Sequence, residues 1–597
     1  MKGFVPFLKR HAWAIVVAAA VMLLVESPLF IFPFLAGARY QGVDTVGYFD
    51  TDTHYYLARA HEVLEGNGLG SAVIAGDKQG QDLSFNNIEF VLMAPVKLFH
   101  IDRFLNLPTI YNLYNAAIVF AIVLVVYALL LGLSGDSVLA ITAAGSLIAG
   151  STVLLHASLF PAVSNLYGRM PYPCIESLVF FLFAYFLYRA ISGSTRLRDA
   201  GIAAGLLGFS CFLSLYGWTF AFAFSGIFCV VLLALRKYPE AVTVFGTAAL
   251  GAVLGLPALI PLVLFKLSPV SAQSAYFYNA LESHAPFWST IGVLSLVLFA
   301  GYAFFFGKSD NRVSLAFVGA LPLAGLLIVN QQVITGWSLQ NEHYYWYFLL
   351  PGATIAGIYA VFKVIRPAWR PWLSAVILGG FLVSLAVNQY LALKVAFPEE
   401  LREQDYAALM PALSALPQGG VLTALDEGSR PQTMLVPILT NKDLLWSRVS
   451  LFQSISMDRV EDIMLFYIYL DIDARRDPIA YLKNVITGPL TPMQYLYKSV
   501  EGSRSGLAFD VYEHGFIGGD ATGAAAIAVK RQTFFAELLN RYRALFPNDA
   551  AARKWLQDQG VRYVLWDEEW SPEWDIAFLK PFTQVQEGNQ LSLYELH

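Results

Sequence analysis

The sequence predicts a polytopic α-helical membrane protein that carries a soluble α/β domain at its C-terminal end. Of the 597 residues, 57% are hydrophobic and only 14% are charged, whereas charged residues make up about a quarter of a soluble chain. Apolar runs of about twenty residues, the length that spans a bilayer, recur through the first two-thirds of the chain. From about residue 395 onward the charge rises and the apolar runs shorten.

About eleven apolar segments are long enough to be transmembrane helices. The first follows Lys2, Lys9 and Arg10, and we expect an uncleaved anchor because the segment exceeds the roughly 7–15-residue apolar core of a cleaved signal. The segments are 12–35, 110–133, 138–160, 174–191, 199–217, 218–235, 241–265, 288–307, 313–331, 344–364 and 371–393. Segment 88–101 is apolar but too short to cross, so we expect an interfacial or re-entrant helix.

The distribution of basic residues predicts a cytoplasmic N-terminus and an extracytoplasmic C-terminal domain, because Lys and Arg gather in the loops that this orientation places inside. The outer loops are then 36–109, 161–173, 266–287 and 332–343. We expect a membrane domain over residues 1–394 and a soluble domain over 395–597. We expect the protein to lie in the bacterial inner (plasma) membrane.

The tail shows its own local patterns. Segments 421–425 and 561–566 read as strands, 533–546 and 549–559 read as helices, and Gly560 suits a helix stop. A closing hairpin is expected around Glu587-Gly588-Asn589. The tail holds 18 Lys+Arg and 27 Asp+Glu without a basic stripe, which excludes nucleic-acid binding. The chain has no P-loop, H-E-x-x-H or C-x-x-C motif, so an ATP-driven pump is not expected.

Two carboxylates, Asp50 and Asp52, lie shortly after the first span. Residues 52–65 have a helical pattern, with Tyr55 and Tyr56 on an apolar side and Arg59, Glu62 and Glu65 on a polar side. One aspartate would serve as a general base, and the other would orient it or bind a divalent cation such as Mg²⁺ or Mn²⁺. The structural alternative is a helix cap on a solvated loop.

The stretch 47–60, GYFDTDTHYYLARA, stands in a layout of one span, a long outer loop, many further spans and an outer C-terminal domain. This resembles the GT-C superfamily of integral-membrane glycosyltransferases, which includes oligosaccharyltransferase catalytic subunits and protein O-mannosyltransferases. The resemblance implies a GT-C-like fold, a polyprenyl-phosphate-sugar donor, an acceptor that approaches from outside, and inversion at the anomeric carbon. An acidic residue of the first outer loop is the base in that superfamily, and by position this is Asp50 or Asp52.

The chain also departs from the superfamily's known patterns. The W-W-D-Y-G signature of oligosaccharyltransferases is absent, since Trp566-Asp-Glu-Glu-Trp570 does not match it. The 161–173 loop has no second D-x-D or E-x-D, and the first loop lacks the Asp-Glu pair of protein O-mannosyltransferases. Subfamily, sugar (hexose or pentose), metal requirement and acceptor (saccharide, lipid or protein) therefore stay open.

Donor and acceptor contacts are expected from polar residues of the outer face. Arg169 and Lys266 are the candidate phosphate contacts, with snorkelling to the interface as the alternative for each. Candidate sugar or lipid contacts are His54, Tyr55, Glu176, Gln340, Glu342 and His343, where Glu176 could instead pair with Arg169. The rival functions are a transporter or flippase of lipid-linked sugars, and a non-catalytic assembly protein that recruits partners through its outer domain.

Overall fold

The computed structural model describes residues 4–44, 51–76, 78–79, 86–267, 280–282, 284–425, 431–452, 455–487, 491–505 and 521–597. Asp50 lies outside these residues, and Asp52 lies within them. The described part is mostly helical, with a two-stranded sheet in the outer loops and a five-stranded sheet near the C-terminus.

The membrane part is built from helices that follow the predicted apolar segments. The helices are α1 Phe4–Val25, α2 Ser27–Ala36, α3 Thr51–Glu65, α4 Ile88–Phe99, α5 Leu107–Ser134, α6 Ser137–Ala149, α7 Ser151–His156, α8 Cys174–Ser192, α9 Arg196–Ser210, α10 Leu215–Ala234, α11 Tyr238–Lys266, α12 Thr290–Phe305, α13 Arg312–Ile328, α14 Gln332–Thr335, α15 Asn341–Tyr344, α16 Leu350–Val364 and α17 Arg370–Ala415. A wider π-helical turn, Tyr345–Leu349, joins α15 to α16.

Among the described residues, eight helices are long and apolar enough to cross a membrane, and they confirm eight of the predicted segments. The predicted segments 138–160, 199–217 and 288–307 hold shorter helices instead, namely α6 with α7, α9 and α12. The first of these breaks at Gly150, where the Asn165 side chain donates to the Ile148 carbonyl at 3.0 Å. An outer-loop amide thus satisfies a backbone group beside the break. The total number of spans stays a prediction.

Helix α4 occupies the segment predicted to lie at the interface. It has twelve residues, too few to cross, and it exposes Phe90, Val91, Leu98 and Phe99. Exposed large apolar groups on a short helix of a membrane protein fit a position at the boundary between lipid and water.

Helix α17 continues without a break across residues 394 and 395, where the two domains were predicted to meet. Its 46 residues make a rod of about 70 Å, more than twice the roughly 30 Å of a bilayer core. The first half exposes apolar side chains such as Trp372 and Val376, whereas the stretch from Arg402 to Tyr406 is buried. One helix therefore carries the chain from the membrane part into the C-terminal domain.

The C-terminal domain is α/β, as predicted. Its strands are β3 Gly420–Thr423, β4 Asp443–Leu444, β5 Val561–Asp567, β6 Phe582–Gly588 and β7 Leu591–Leu596, after the outer-loop strands β1 Ala280–Glu282 and β2 Trp337–Leu339. The sheet order is β4-β3-β5-β7-β6, in which β3 is parallel to β4 and β5. The helices are α18 Leu435–Leu439, α19 Met457–Leu470, α20 Ile472–Arg476, α21 Pro478–Thr487, α22 Pro492–Ser505, α23 Ala521–Leu545 and α24 Asp549–Asp558.

The local signals of the tail are confirmed. Gly560 has a φ of +76° directly after the second predicted helix, a left-handed conformation that glycine adopts without steric strain. The closing hairpin turns at Asn589 and Gln590, both of which have positive φ. The turn thus begins two residues after Glu587, because the strand β6 includes Glu587 and Gly588.

The polar stretch of α17 joins the first outer loop to the soluble domain. Arg402 pairs with Asp567 of β5 at 2.6 Å, and the Tyr406 hydroxyl donates to the same carboxylate at 2.9 Å. On the other side, His54 of α3 donates to Glu403 at 2.6 Å, and Gln404 donates to the Val43 carbonyl at 2.6 Å. Neighbouring residues of α17 therefore bind both the C-terminal sheet and α3, the helix that carries Asp52.

Replacing Asp567 by alanine is expected to destabilise the protein by about 3–5 kcal/mol, because the buried Arg402 would lose its two closest carboxylate contacts and the Tyr406 hydroxyl would lose its acceptor. The measurement is the thermal unfolding midpoint of the full-length protein in nanodiscs. Asp473→Ala is the matched control, since Asp473 forms an exposed pair with Arg476. Equal midpoints for the two variants would contradict the role assigned to Asp567.

Candidate functional site

Asp52 lies in the first turn of α3, near the loop 161–173. The helix begins at Thr51, so Asp52 is inside the helix, and the cap position falls on residue 50, outside the described residues. Nη1 of Arg169 lies 3.7 Å from Oδ2 of Asp52. The structure thus brings together two of the predicted site residues, from two outer loops more than a hundred residues apart.

Arg169 is held in place by contacts on more than one side. Its Nε donates to the Tyr172 carbonyl at 3.1 Å, and its Nη2 donates to the Tyr347 hydroxyl at 3.0 Å. The planar guanidinium is thereby fixed in orientation beside Asp52, as a charge that binds a phosphate must be. Its position in a structured loop argues against simple snorkelling to the interface.

His343 joins the same set of side chains through Tyr347. Its ring stacks on Tyr216, with centroids 4.8 Å apart and planes 9° apart, and meets the Tyr347 ring edge-on at 5.2 Å. Gln340 accepts a hydrogen bond from the Tyr216 hydroxyl. We term the set Asp52, Arg169, Tyr347, His343 and Tyr216 the outer row. It draws on α3 in loop 36–109, on loop 161–173, on the first turn of α10, and on loop 332–343 with the π-helical turn that follows it.

Strands β1 and β2 fix the last of these loops. They pair antiparallel, with Glu282 opposite Trp337. Gln332 also donates to the Ala285 carbonyl at 2.9 Å, and His284 contacts the Val333 carbonyl at 3.2 Å. The loops near 266–287 and 332–343, both predicted to be outside, therefore lie against each other.

A cavity of about 230 Å³ opens beside Arg169. Its lining includes Glu26, His156 and Trp346, together with Asn165 and the loop around it. Glu26 is 3% exposed and accepts from the Asn115 side chain at 2.6 Å. Buried ionisable residues in a membrane domain mark functional cavities more often than structural ones. The cavity therefore extends the outer row toward the interior of the membrane domain.

Tyr56 is a site residue that sequence analysis missed. It lies one helical turn after Asp52, so both side chains share a face of α3. Burial and the nearby carboxylate of Asp52 raise the pKa of the Tyr56 phenol well above its ordinary value. Tyr56 thus stays neutral and can offer a hydroxyl, but it cannot act as a base. Tyr56 follows Asp52 by four residues, and Tyr347 follows His343 by four residues. This helical spacing is the sequence signal that would have identified both tyrosines as site residues.

Arg59 and Glu62, which the helical pattern placed on a polar side of α3, are buried and paired with residues outside this helix. Arg59 is 0% exposed and holds both carboxylate oxygens of Glu89 on α4, at 2.9 and 3.1 Å. It also donates to the Asn86 carbonyl at 2.5 Å. Glu62 binds Lys78 and accepts from Asn67 at 2.7 Å. These pairs position α3 and, through it, Asp52.

Other predicted contacts lie apart from the outer row. His54 is 3% exposed and Tyr55 is 6% exposed, which places both in the packing of α3, where Tyr55 contacts Arg59. Glu176 is 1% exposed and accepts from the Gly217 amide at 3.3 Å, so the described residues show no pair between it and Arg169. Lys266 and Glu342 are exposed, and no described contact joins either to the outer row.

The candidate ligands for a divalent cation are the two aspartates of the first outer loop. Within the described ranges no group of three or more His, Cys, Asp or Glu residues is arranged to hold a metal ion. Asp52 faces the cation of Arg169, and Asp50, its proposed partner as a ligand, lies outside these ranges.

Two solved structures of an oligosaccharyltransferase from Archaeoglobus fulgidus are similar to this chain. The apo form is 13% identical with a TM-score of 0.44, over 82% of this chain and 71% of that chain. The archaeal oligosaccharyltransferase AglB in complex with an inhibitory peptide and a dolichol-phosphate is 12% identical with a TM-score of 0.45, over 94% and 70%. Neither the protein-family models nor the curated proteins give a match.

Proposed function

We propose that this protein is a membrane glycosyltransferase that moves a sugar from a polyprenyl-phosphate carrier to an acceptor on the outer face of the membrane. The observation that carries the proposal is the approach of Asp52 to Arg169, with 3.7 Å between Oδ2 and Nη1. Arg169 also lines the cavity of about 230 Å³. A carboxylate and a fixed guanidinium are the two charges that this transfer requires.

The reaction forms one bond and breaks one bond at the anomeric carbon. The acceptor hydroxyl attacks this carbon while its proton passes to Asp52 or Asp50, acting as the general base. The bond between the anomeric carbon and the phosphate oxygen breaks, and the electron pair leaves on the polyprenyl phosphate. Attack from the face opposite the leaving group inverts the configuration. Arg169 stabilises the negative charge on the departing phosphate.

The rest of the outer row supports alignment. Tyr347 fixes Arg169 by accepting a hydrogen bond from it, and His343 and Tyr216 present a stacked pair of rings beside this tyrosine. Aromatic and imidazole groups at this position suit the faces and hydroxyls of a sugar ring. The cavity lined by Glu26 and His156 extends from Arg169, so it offers space for the phosphate end of the lipid carrier. Holding the donor and the acceptor in the correct relative position supplies much of the rate enhancement.

A polar surface collected on the outer face favours chemistry there over passage through the membrane. A flippase would instead gather its polar groups near the midplane, where transporters bind their substrates. A non-catalytic assembly protein would have no need for a fixed arginine beside an outer-face carboxylate.

The test is turnover of a panel of polyprenyl-phosphate sugars by the purified protein in nanodiscs, scored as release of free polyprenyl phosphate. We expect at least one donor to be consumed. Binding of donors without consumption, together with their movement across vesicle membranes, would instead identify a flippase. An EDTA arm decides the metal requirement: an unchanged rate leaves the phosphate charge to Arg169, and a lost rate restored by Mg²⁺ or Mn²⁺ shows that a divalent cation takes part.

A further inference from the structure

A second cavity, of about 360 Å³, lies in the C-terminal domain, outside the membrane part. Its lining includes Ala424 and Leu425, which directly follow strand β3, and Trp570 and Ser571, which follow strand β5. These two strands are parallel neighbours. Open α/β sheets bind their ligands in the crevice at the carboxyl ends of such strands, so the cavity occupies the position where this fold places a ligand.

The walls of the cavity combine aromatic rings with hydrogen-bonding groups, and the charged side chains among its described lining residues are acidic. Tyr467, Tyr481, Trp570 and Trp574 supply the rings. Asp471, Glu573 and Asn484 supply oxygen acceptors and one amide donor, and no Lys or Arg is among the described residues that line the cavity. The carboxylates of Asp471 and Glu573 disfavour anionic ligands such as phosphates and uronic acids. Flat apolar faces beside carboxylate and amide groups suit a polyhydroxylated ring, whose C–H faces stack and whose hydroxyls donate.

The walls are fixed before any ligand arrives. The Tyr467 hydroxyl donates to the Thr423 carbonyl at 2.7 Å, and the Tyr467 and Trp574 rings pack with centroids 6.1 Å apart. Asp471 accepts from the amides of Asp473 and Ala474 at 2.8 and 2.9 Å, which caps helix α20. A preformed pocket avoids the entropy of ordering its side chains on binding.

We infer that this cavity is a saccharide-binding site, specific for neutral or amino sugars. A basic peptide is the competing occupant for an aromatic and acidic pocket. The saccharide is favoured because the groups are set around a concave wall at the strand ends, and not along an exposed strand edge or groove, where extended peptides bind.

The cavity and the helix α3 that carries Asp52 both contact helix α17. The ring of Trp570 packs against Tyr406 of α17, with centroids 5.9 Å apart. Three residues earlier on this helix, Glu403 holds His54 of α3, two residues from Asp52. A saccharide in the cavity would therefore be held by the domain that is fixed to α3. Its role as a subsite for a glycan acceptor rests on the proposed function, whereas the binding itself does not.

The experiment is saturation-transfer NMR on the full-length protein in nanodiscs, with methyl glycosides of glucose, galactose, mannose and N-acetylglucosamine, glucosamine, glucuronate, and a short Lys-containing peptide as probes. We expect transfer to at least one neutral or amino sugar and none to glucuronate. Tyr481→Ala and Asn484→Ala should each weaken that binding by about tenfold, since each removes a contact from the pocket wall. Glu587→Gln, a change on the exposed hairpin strand, should leave it unchanged.

Transfer to no sugar, transfer to the peptide alone, or equal affinity in both cavity variants and the wild type would overturn the inference. The Asp50→Asn/Asp52→Asn variant separates this inference from the proposed function, because it should bind the sugar with wild-type affinity. Sugar binding in a protein that consumes no lipid-linked donor would uphold the site and remove only its role as an acceptor subsite.

Discussion

Replacing Asp50 and Asp52 together by asparagine is expected to lower the initial rate of lipid-linked donor consumption by about 10²–10⁴-fold, the range that a positioned general base contributes. Asparagine keeps the size of each side chain and removes its ability to accept the proton. Because Asp52 lies in the first turn of α3 with its side chain 43% exposed, its substitution should not disturb the fold. Donor binding should persist, since the asparagines leave Arg169 in place.

The single variants show which aspartate is the base. If Asp52 is the base, Asp52→Asn reproduces the double variant and Asp50→Asn has a smaller effect; the reverse order assigns the role to Asp50. Asp473→Asn is the matched control, because Asp473 is an exposed carboxylate of the outer domain. Full activity of both single variants and of the double variant would remove the first outer loop from the chemistry.

Replacing Arg169 by alanine is expected to lower the same rate by about 10²–10³-fold, comparable with the loss of one donor that stabilises charge in a transition state. Lysine should restore only part of the rate, because a point charge cannot reproduce the two-pronged geometry of a guanidinium. Tyr347→Phe should give a smaller loss of rate than Arg169→Ala or Arg169→Lys. It removes the hydroxyl that accepts a hydrogen bond from Arg169 and leaves the charge of Arg169 in place.

The control for this series is Arg476→Ala, whose guanidinium forms an exposed pair with Asp473. It should retain the wild-type rate and the wild-type unfolding midpoint. If Arg169→Ala keeps full turnover, the phosphate is bound elsewhere, and Lys266, the other candidate of the outer face, would be tested next.

The membrane helices and the tail were predictable because their signals are local. An apolar run of bilayer length, the glycine at position 560 and the alternating segments around the final hairpin each determine structure within a few residues. The short helix α4 was also anticipated, since its length alone excludes a span. The breaks that shorten the segment 138–160 were not, because they depend on Asn165, a residue from the following loop.

The candidate site was predictable only in part. Asp52, Arg169, His343 and Gln340 stood out as polar groups of outer loops, and the structure places them within one connected set. His54 and Tyr55 were selected for their closeness to the aspartates in sequence, yet they face the interior of the packing. The burial of Arg59 was not predictable, because a sequence cannot show that Glu89 of α4 lies opposite it. Local sequence patterns do not show side-chain partners that lie in distant segments of the chain.

The continuous helix α17 is the feature with the widest consequence for the function. Its residues Arg402, Glu403 and Tyr406 bind the C-terminal sheet on one side and α3 on the other. The outer domain is therefore fixed to the helix that carries Asp52. In the proposed reaction this would hold an acceptor that docks on the outer domain at a set distance from the base.

We propose that the outer row is the catalytic surface of a glycosyltransferase, and the initial rate of donor consumption in nanodiscs tests this role most directly. Wild type, Asp50→Asn/Asp52→Asn, Arg169→Ala and Asp473→Asn would be compared with one donor that the wild type consumes. We expect turnover by the wild type and by Asp473→Asn, and loss of turnover in the other two with their unfolding midpoints preserved. Equal rates in all four proteins would contradict the claim.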